Sequence, residues 1–185
     1  MKKRKINPFS LTGNIFIICS VVIFVFIFTP YLLTYLPHDS EAIDTTSAVV
    51  IPKIGAVAPV LYNVDPFNSG VYKKALTQGV AHAKGSSLPG ENGKVFLFAH
   101  SSGMPWELTR YNTIFLRLNE LTADDEIDIY RNGTKYTYKV TEKKEVWPSE
   151  VSYLLEKSTE NELILQTCSP IGTDLKRLLV FAKQS

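Results

Sequence analysis

The hydrophobic pattern divides this chain into two parts of different kind. From residue 6 to residue 37 almost no charge interrupts an apolar run, densest over residues 15 to 28 and continuing through Tyr31, Leu32, Leu33, Tyr35 and Leu36. Residues 14–36 are long enough to cross about 30 Å of hydrocarbon as a helix. Beyond residue 47 the pattern changes to short apolar runs and to alternation with a period of two, which is how strands that bury one face read. Glu126-Ile127-Asp128-Ile129-Tyr130 alternates, Asn132-Gly133 signals a type I′ turn, and Tyr136-Thr137-Tyr138-Lys139-Val140 alternates again, so a hairpin is expected there. Further strands are expected at residues 49–51, 58–64, 94–99, 162–167 and 178–182. Short helices fit residues 71–77, 113–118 and 150–155, the last following Pro148 with Ser149 as its N-cap. Many short strands with few helices predict a mainly β domain, an antiparallel barrel or sandwich.

The expected organisation is a basic flank over residues 1–13, a transmembrane helix over 14–36, a linker over 37–47 and one domain over 48–185. The linker, HDSEAIDTTS at residues 38–47, is short, polar and acidic. The length that remains, about 140 residues, suffices for one domain with its own core. Lys2, Lys3, Arg4 and Lys5 precede the apolar run, which places that end in the cytoplasm and the domain outside the cell. A cleaved signal peptide is the rival reading, but it needs a shorter apolar region and a small-residue cleavage site, and no convincing one stands before Leu36. A single-pass anchor in the cell membrane, with the lipid bilayer as the partner of the helix, is therefore expected.

Charge supports the same division. Of 20 Lys and Arg in the 185 residues, four lie before residue 37, leaving 16 against 18 Asp and Glu in the outer part, a formal balance of −2. The small basic excess of the whole chain is thus a signal of topology. No basic stripe with interleaved aromatics is present, and no nucleic-acid partner is expected. No Cys, His and carboxylate cluster has metal-ligand spacing either, so neither metal nor cofactor is expected. Glu107, Asp124 and Asp125 read as solvated surface, His38 as interfacial, and His82 as structural or groove-lining.

Of the two cysteines, Cys19 falls inside the apolar run, and Cys168 is the one thiol beyond it, free to react. An apolar strand ends in Thr167-Cys168, a short turn follows, and Arg177 opens a second apolar strand, while the strand at 95–99 runs straight into His100. A thiol attacks an amide usefully only as thiolate, and an ordinary thiol pKa of about 8.5 leaves little of it at neutral pH. An imidazole titrating near neutrality can supply the cationic neighbour and later protonate the departing amine. A guanidinium, always charged and planar, can hold the oxyanion or position the peptide beside it. Each residue alone has a plainer reading: an inert buried Cys, a structural His, a surface Arg. Alternation puts Arg177, Leu179 and Phe181 on one face and Lys176, Leu178 and Val180 on the other, so periodicity does not choose between Lys176 and Arg177.

Several ordered pieces, taken together, resemble the sortases of bacterial cell surfaces. They are Ile51-Pro52-Lys53-Ile54-Gly55, Gly79-Val80-Ala81-His82, Leu88-Pro89-Gly90-Glu91-Asn92-Gly93, Phe98-Ala99-His100-Ser101-Ser102, Leu165-Gln166-Thr167-Cys168 and Arg177-Leu178-Leu179-Val180, spread over residues 47 to 183. One departure is Ala99, where sortases commonly carry Gly before the histidine. The resemblance implies a closed eight-stranded barrel with the site at one rim, and it selects Cys168, His100 and Arg177 as catalytic. It also implies cleavage of a C-terminal sorting motif in secreted proteins through a thioacyl enzyme. The acyl group then passes to an amine of peptidoglycan or of another surface protein. Thr167, Ser101, Trp106 and Trp147 are candidate substrate-binding residues, with plain core packing an equal reading for either Trp. Two alternatives stay open: a membrane-anchored cysteine protease in which water takes the acyl group, and a non-catalytic surface binding domain.

Overall fold

The computed structural model describes residues 8–33, 46–102 and 111–185, and the chain divides into two compact units, residues 1–36 and 37–185. The first contains helix α1 (Pro8–Leu33), which continues past Pro30 and is about 39 Å long at 1.5 Å per residue. Its window Thr12–Thr29 has a mean hydropathy of 2.4 with none of it buried. Ile15, Phe16, Ile17, Ile18, Val21, Phe24, Phe26 and Phe28 are each more than half exposed, the pattern of a helix whose whole circumference is apolar. Among the described residues it is the one helix long and apolar enough to cross a membrane. The first part of the basic flank and residues 34–45, including His38, lie outside the described residues.

The second unit contains β1 (Ser47–Ile51), β2 (Ala56–Val64), α2 (Ser69–Leu76), β3 (Val80–Ala83), β4 (Lys94–Phe98), β5 (Glu126–Arg131), β6 (Thr134–Val146), α3 (Ser152–Leu155), β7 (Glu162–Ser169) and β8 (Lys176–Gln184). The strands close into a barrel in the order β1-β2-β3-β4-β7-β8-β6-β5, the mainly β, eight-stranded fold that the sequence reading expects. Closure leaves no edge strand unpaired. β2 with β3 and β4 with β7 are parallel; the other neighbours are antiparallel. The hairpin forms as its turn residues dictate, with Asn132 at φ 51° and Gly133 at φ 78° between the paired Arg131 and Thr134. β4 is buried along its whole length, as is the Leu163-Ile164-Leu165 stretch of β7. Unbroken apolar runs of this kind mark strands covered on both faces.

Four local expectations need correction. β6 does not stop at Val140 but runs on through the polar Thr141-Glu142-Lys143-Lys144-Glu145 to Val146, after a register shift between Val140 and Glu142. Pairing with β8, rather than burial, holds this exposed half, so alternation could not reveal it. β3 has no counterpart in the expected elements, because Val80-Ala81-His82-Ala83 is short and buried throughout, a pattern that periodicity cannot assign. Residues 113–118 form no α-helix. Ile114, Leu116 and Leu118 donate their N–H groups three residues back, to Tyr111, Thr113 and Phe115, and the run ends in a 3₁₀ turn at Leu118–Glu120. The fully buried Phe115, Leu118 and Leu121 recur every third residue, the 3₁₀ period. Finally, α3 has Val151, not Ser149, as its N-cap and no side-chain cap; Ser149 accepts the Val151 N–H through its backbone carbonyl, and the Glu150 carboxylate takes the Trp147 N–H at 2.8 Å.

Gly79 shows how tightly β3 lies against β2. A Cβ there meets the Pro59 carbonyl oxygen at 2.3 Å, whereas one at Gly70 in α2 meets nothing closer than 3.5 Å. Backbone cannot yield as a side chain does, so Gly79→Ala is expected to destabilise the barrel by about 2 kcal/mol or more. Gly70→Ala should be neutral or stabilise by up to about 1 kcal/mol. Urea unfolding of the two variants measures both; equal midpoints would contradict this packing.

Candidate active site

The residues singled out from the sequence are assembled by strand register. β4 and β7 pair in parallel with one constant offset, from Lys94 beside Glu162 to Phe98 beside Gln166. The pairing continues past the end of β4, where the Ala99 N–H donates to the Gln166 carbonyl at 3.1 Å. The same offset carried one step further sets His100 beside Cys168. On the other side of β7, Cys168 is the antiparallel partner of Arg177 in β8. Residues level with one another on adjacent strands share a face, with strands about 4.8 Å apart. By backbone position, His100, Cys168 and Arg177 therefore fall at one level where β4, β7 and β8 run out.

The ends of these strands are fastened to one another. The buried Thr167 hydroxyl donates to the carbonyl of Ala99 at 2.9 Å, and the Phe115 N–H donates to the carbonyl of His100 at 3.3 Å. The peptide units before and after the His100 α-carbon are thus each held. Beyond the row, the Gly172 N–H donates to the Ser102 hydroxyl at 3.1 Å, which links the loop after Cys168 to the loop after His100. One Arg177 nitrogen, Nη1, donates to the backbone carbonyls of Asp174 and Lys176 at 2.9 and 3.0 Å.

Register also separates the two cations that periodicity could not. Lys176 pairs with Ser169, and its ammonium bonds the Glu145 carboxylate at 3.2 Å while lying 5.7 Å from the centre of the Trp147 ring. Arg177 is the cation level with the thiol. Cys168 is half-buried, and burial pushes its thiol up from the ordinary range, the Arg177 charge pulls it back down, and Asp174 adds to the rise. The sequence reading gave the task of favouring thiolate to the imidazole; here the charge that favours it is the Arg177 guanidinium.

The remaining candidates are placed as follows. Thr167 commits its hydroxyl to Ala99. Ser101 is buried, and its hydroxyl has no hydrogen-bond partner among the described residues. Trp147, 59% exposed, stands just past the end of β6, outside the core. Trp106 lies outside the described residues. His82 is fully buried. Its Nδ1 accepts the Asn63 N–H at 3.4 Å, which makes Nε2 the protonated nitrogen, directed at the Ser87 carbonyl at 3.0 Å and the Ser86 hydroxyl at 2.9 Å. Burial lowers its pKa, a bond to Ser87 opposing, so the neutral ring serves as a brace between β3 and the bulge of β2. Among the described residues no three His, Cys, Asp or Glu gather as a metal site would need. Sequence reasoning missed Ser102, Gly172 and the pairing of Gln166 with Phe98; all depend on the offset between β4 and β7, which no local pattern encodes.

The fold is a closed eight-stranded barrel with Cys168 paired to Arg177 at one end, and comparison with known proteins gives its family. The sortase domain family matches residues 49–185. Sortase D of Bacillus subtilis (strain 168) is 30% identical over 154 residues, 82% of this chain and 68% of that protein. Among solved structures, sortase C1 from Streptococcus suis superposes with a TM-score of 0.63 at 26% identity over 76% of this chain and 72% of that one. A lid mutant of sortase A from Corynebacterium diphtheriae gives 0.62 at 26% identity over 76% and 70%. The chain belongs to the sortase family, and so to its general class of transpeptidase and protease enzymes.

The electrostatics at Cys168 make a signed prediction. Because burial disfavours the thiolate and Arg177 favours it, alkylation of Cys168 by iodoacetamide should accelerate as pH rises, with a midpoint above that of an ordinary thiol. Arg177→Gln should move that midpoint further up and slow alkylation severalfold at neutral pH. Mass spectrometry of the Cys168 peptide follows the reaction separately from Cys19; coincident pH profiles would contradict the assigned coupling.

Proposed function

We propose that this protein is a membrane-anchored cysteine transpeptidase that cleaves a C-terminal sorting motif of secreted proteins and passes the acyl group to an amine of peptidoglycan or of another surface protein. What supports this reading is that Cys168 pairs with Arg177 and that the β4–β7 offset brings the residue after Ala99 level with Cys168, in a chain of the sortase family. Cys168 attacks the backbone carbonyl of the motif as its thiol proton passes to His100. Arg177, whose Nη1 is held by the β7–β8 loop, keeps Nε and Nη2 to meet the oxyanion or the peptide beside it. The C–N bond breaks, His100 returns the proton to the departing amine, and a thioester remains on Cys168. A second amine then attacks the thioester, loses its proton to His100, and releases the Cys168 sulfur. Two thioester exchanges conserve the acyl group, so no external energy source is required.

The N-terminal helix gives the reading its place. The Lys2-Lys3-Arg4-Lys5 flank remains in the cytoplasm, α1 spans the bilayer once, and the barrel works outside. A domain joined to its helix by a short acidic linker is kept near substrates that their own C-terminal tails still hold at the membrane.

The full chain in detergent micelles, incubated with a library of sorting-type peptides with and without an amine acceptor, tests the reading by mass spectrometry. A thioacyl adduct is expected at Cys168, absent in Cys168→Ala, discharged to an amine-ligated product, and formed about 10²- to 10⁴-fold more slowly in His100→Ala. Discharge to acid alone would make the protein a hydrolase, and full activity in Cys168→Ala would overturn the thiol chemistry.

A further inference from the structure

Cys168 is flanked in β7 by two hydroxyl residues, and each reaches sideways to another strand. Thr167 donates to the carbonyl of Ala99, just past the end of β4. Ser169 donates to one carboxylate oxygen of Glu145 in β6, although β8 lies between β7 and β6. Glu145 pairs with Leu178, yet its other oxygen reaches past that partner and accepts the Lys176 ammonium at 3.2 Å. Ser169 and Lys176 are themselves the last pair of the β7–β8 ladder, one step beyond Cys168 and Arg177. One carboxylate thus ties three strands at the point where the ladder ends and the loop 170–175 begins.

Folding alone gives little reason for this tie. Exposed ion pairs add little to stability, and the Glu145 and Lys176 side chains are 45% and 40% exposed. Successive residues of a strand face opposite sides, so Ser169 and Lys176 are gripped from the face opposite Cys168 and Arg177, and the thiol's own face stays clear. The ends of paired elements open first, and a pair one step from the end loosens with it. The Ser169 hydroxyl and then the Lys176 charge hold the Glu145 carboxyl below the usual carboxylate range, so the tie is intact at neutral pH.

We propose that Glu145 is a positioning residue: by tying Ser169 and Lys176 it holds the Cys168–Arg177 pair closed, so that the guanidinium stays level with the thiol. What the thiol does to a substrate rests on the transpeptidase reading above, whereas closure of the pair is read without any substrate.

The test is alkylation of Cys168 by iodoacetamide across pH, in the full chain in detergent micelles, followed by mass spectrometry of the Cys168 peptide. The charges acting on this thiol are Arg177, which favours thiolate, and Asp174, which opposes it. Removing a carboxylate can by itself only favour a nearby thiolate and lower the midpoint, whereas loosening Arg177 raises it, so the two effects differ in sign. Glu145→Ala should raise the midpoint and slow alkylation about threefold at neutral pH. Ser169→Ala should shift the profile the same way, and in an Arg177→Gln background Glu145→Ala should add nothing further. Glu160→Ala, which removes the ion pair with Lys183 near the other end of β8, should leave the profile unchanged. Glu145→Gln keeps the shape and an acceptor for Ser169; it should fall between Glu145→Ala and the wild type, and it decides the matter if the Ala variant unfolds. A midpoint unchanged or lowered in both Glu145 variants, or an equal further rise in the Arg177→Gln background, would overturn the proposal whatever the protein does with peptides. With a peptide that the wild-type protein accepts, thioacylation by Glu145→Ala should be about tenfold slower. No adduct in the wild-type protein with any peptide would overturn the transpeptidase reading and leave the positioning role to stand on the alkylation profile.

Discussion

Side chains on neighbouring strands fall into rows, and the register of pairing decides which residues share one. Here the parallel pairing of β4 with β7 is the constraint on which the candidate site depends. These strands are far apart in sequence, yet they keep one offset throughout, and the Thr167 hydroxyl secures it at the rim by bonding the carbonyl of Ala99. A slip of a single residue would turn every side chain to the opposite face, taking His100 off the level of Cys168. Burial of β4 and of the middle of β7 on both faces makes such a slip costly. The apolar residues that stabilise the barrel thus also hold the polar row in place.

The same burial that fixes the row opposes its chemistry. It favours the neutral thiol at Cys168, and the Arg177 charge across the strand pair works against it. Two requirements meet at one residue: a nucleophile must be reachable and ionisable, while a strand end must be packed well enough to stay put. Half-burial of Cys168 beside a permanent cation satisfies both. Arg177 is itself constrained through Nη1 by carbonyls of its own loop, so its charge is presented from a fixed support.

Much of this was legible in the sequence, for identifiable reasons. The long apolar run, the Asn132-Gly133 turn and the alternating strands around it are local signals, and they were realised. So were β4, which stops just before His100, and β7, which carries Cys168, because apolar runs bounded by polar turns are local too. The exposed half of β6 and the short β3 were hidden because pairing and total burial leave no alternation to read. Residues 113–118 had enough apolar positions for a helix, but their spacing of three produced turns instead. Arg177 and Lys176 were indistinguishable by periodicity, since what separates them is which residue of β7 each faces.

The Thr167 bond is the most exposed element of this picture, and its removal the most direct trial. Thr167→Val deletes the hydroxyl while keeping the shape, and Thr167→Ser keeps the hydroxyl while deleting a methyl group. Single-turnover thioacylation of Cys168, measured with a peptide that the wild-type protein accepts, compares them in folded protein. If the bond holds His100 and Cys168 level, Thr167→Val should acylate at least about tenfold more slowly, and Thr167→Ser should stay close to the wild-type rate. Acylation by Thr167→Val at the wild-type rate would contradict the dependence of the site on this register lock.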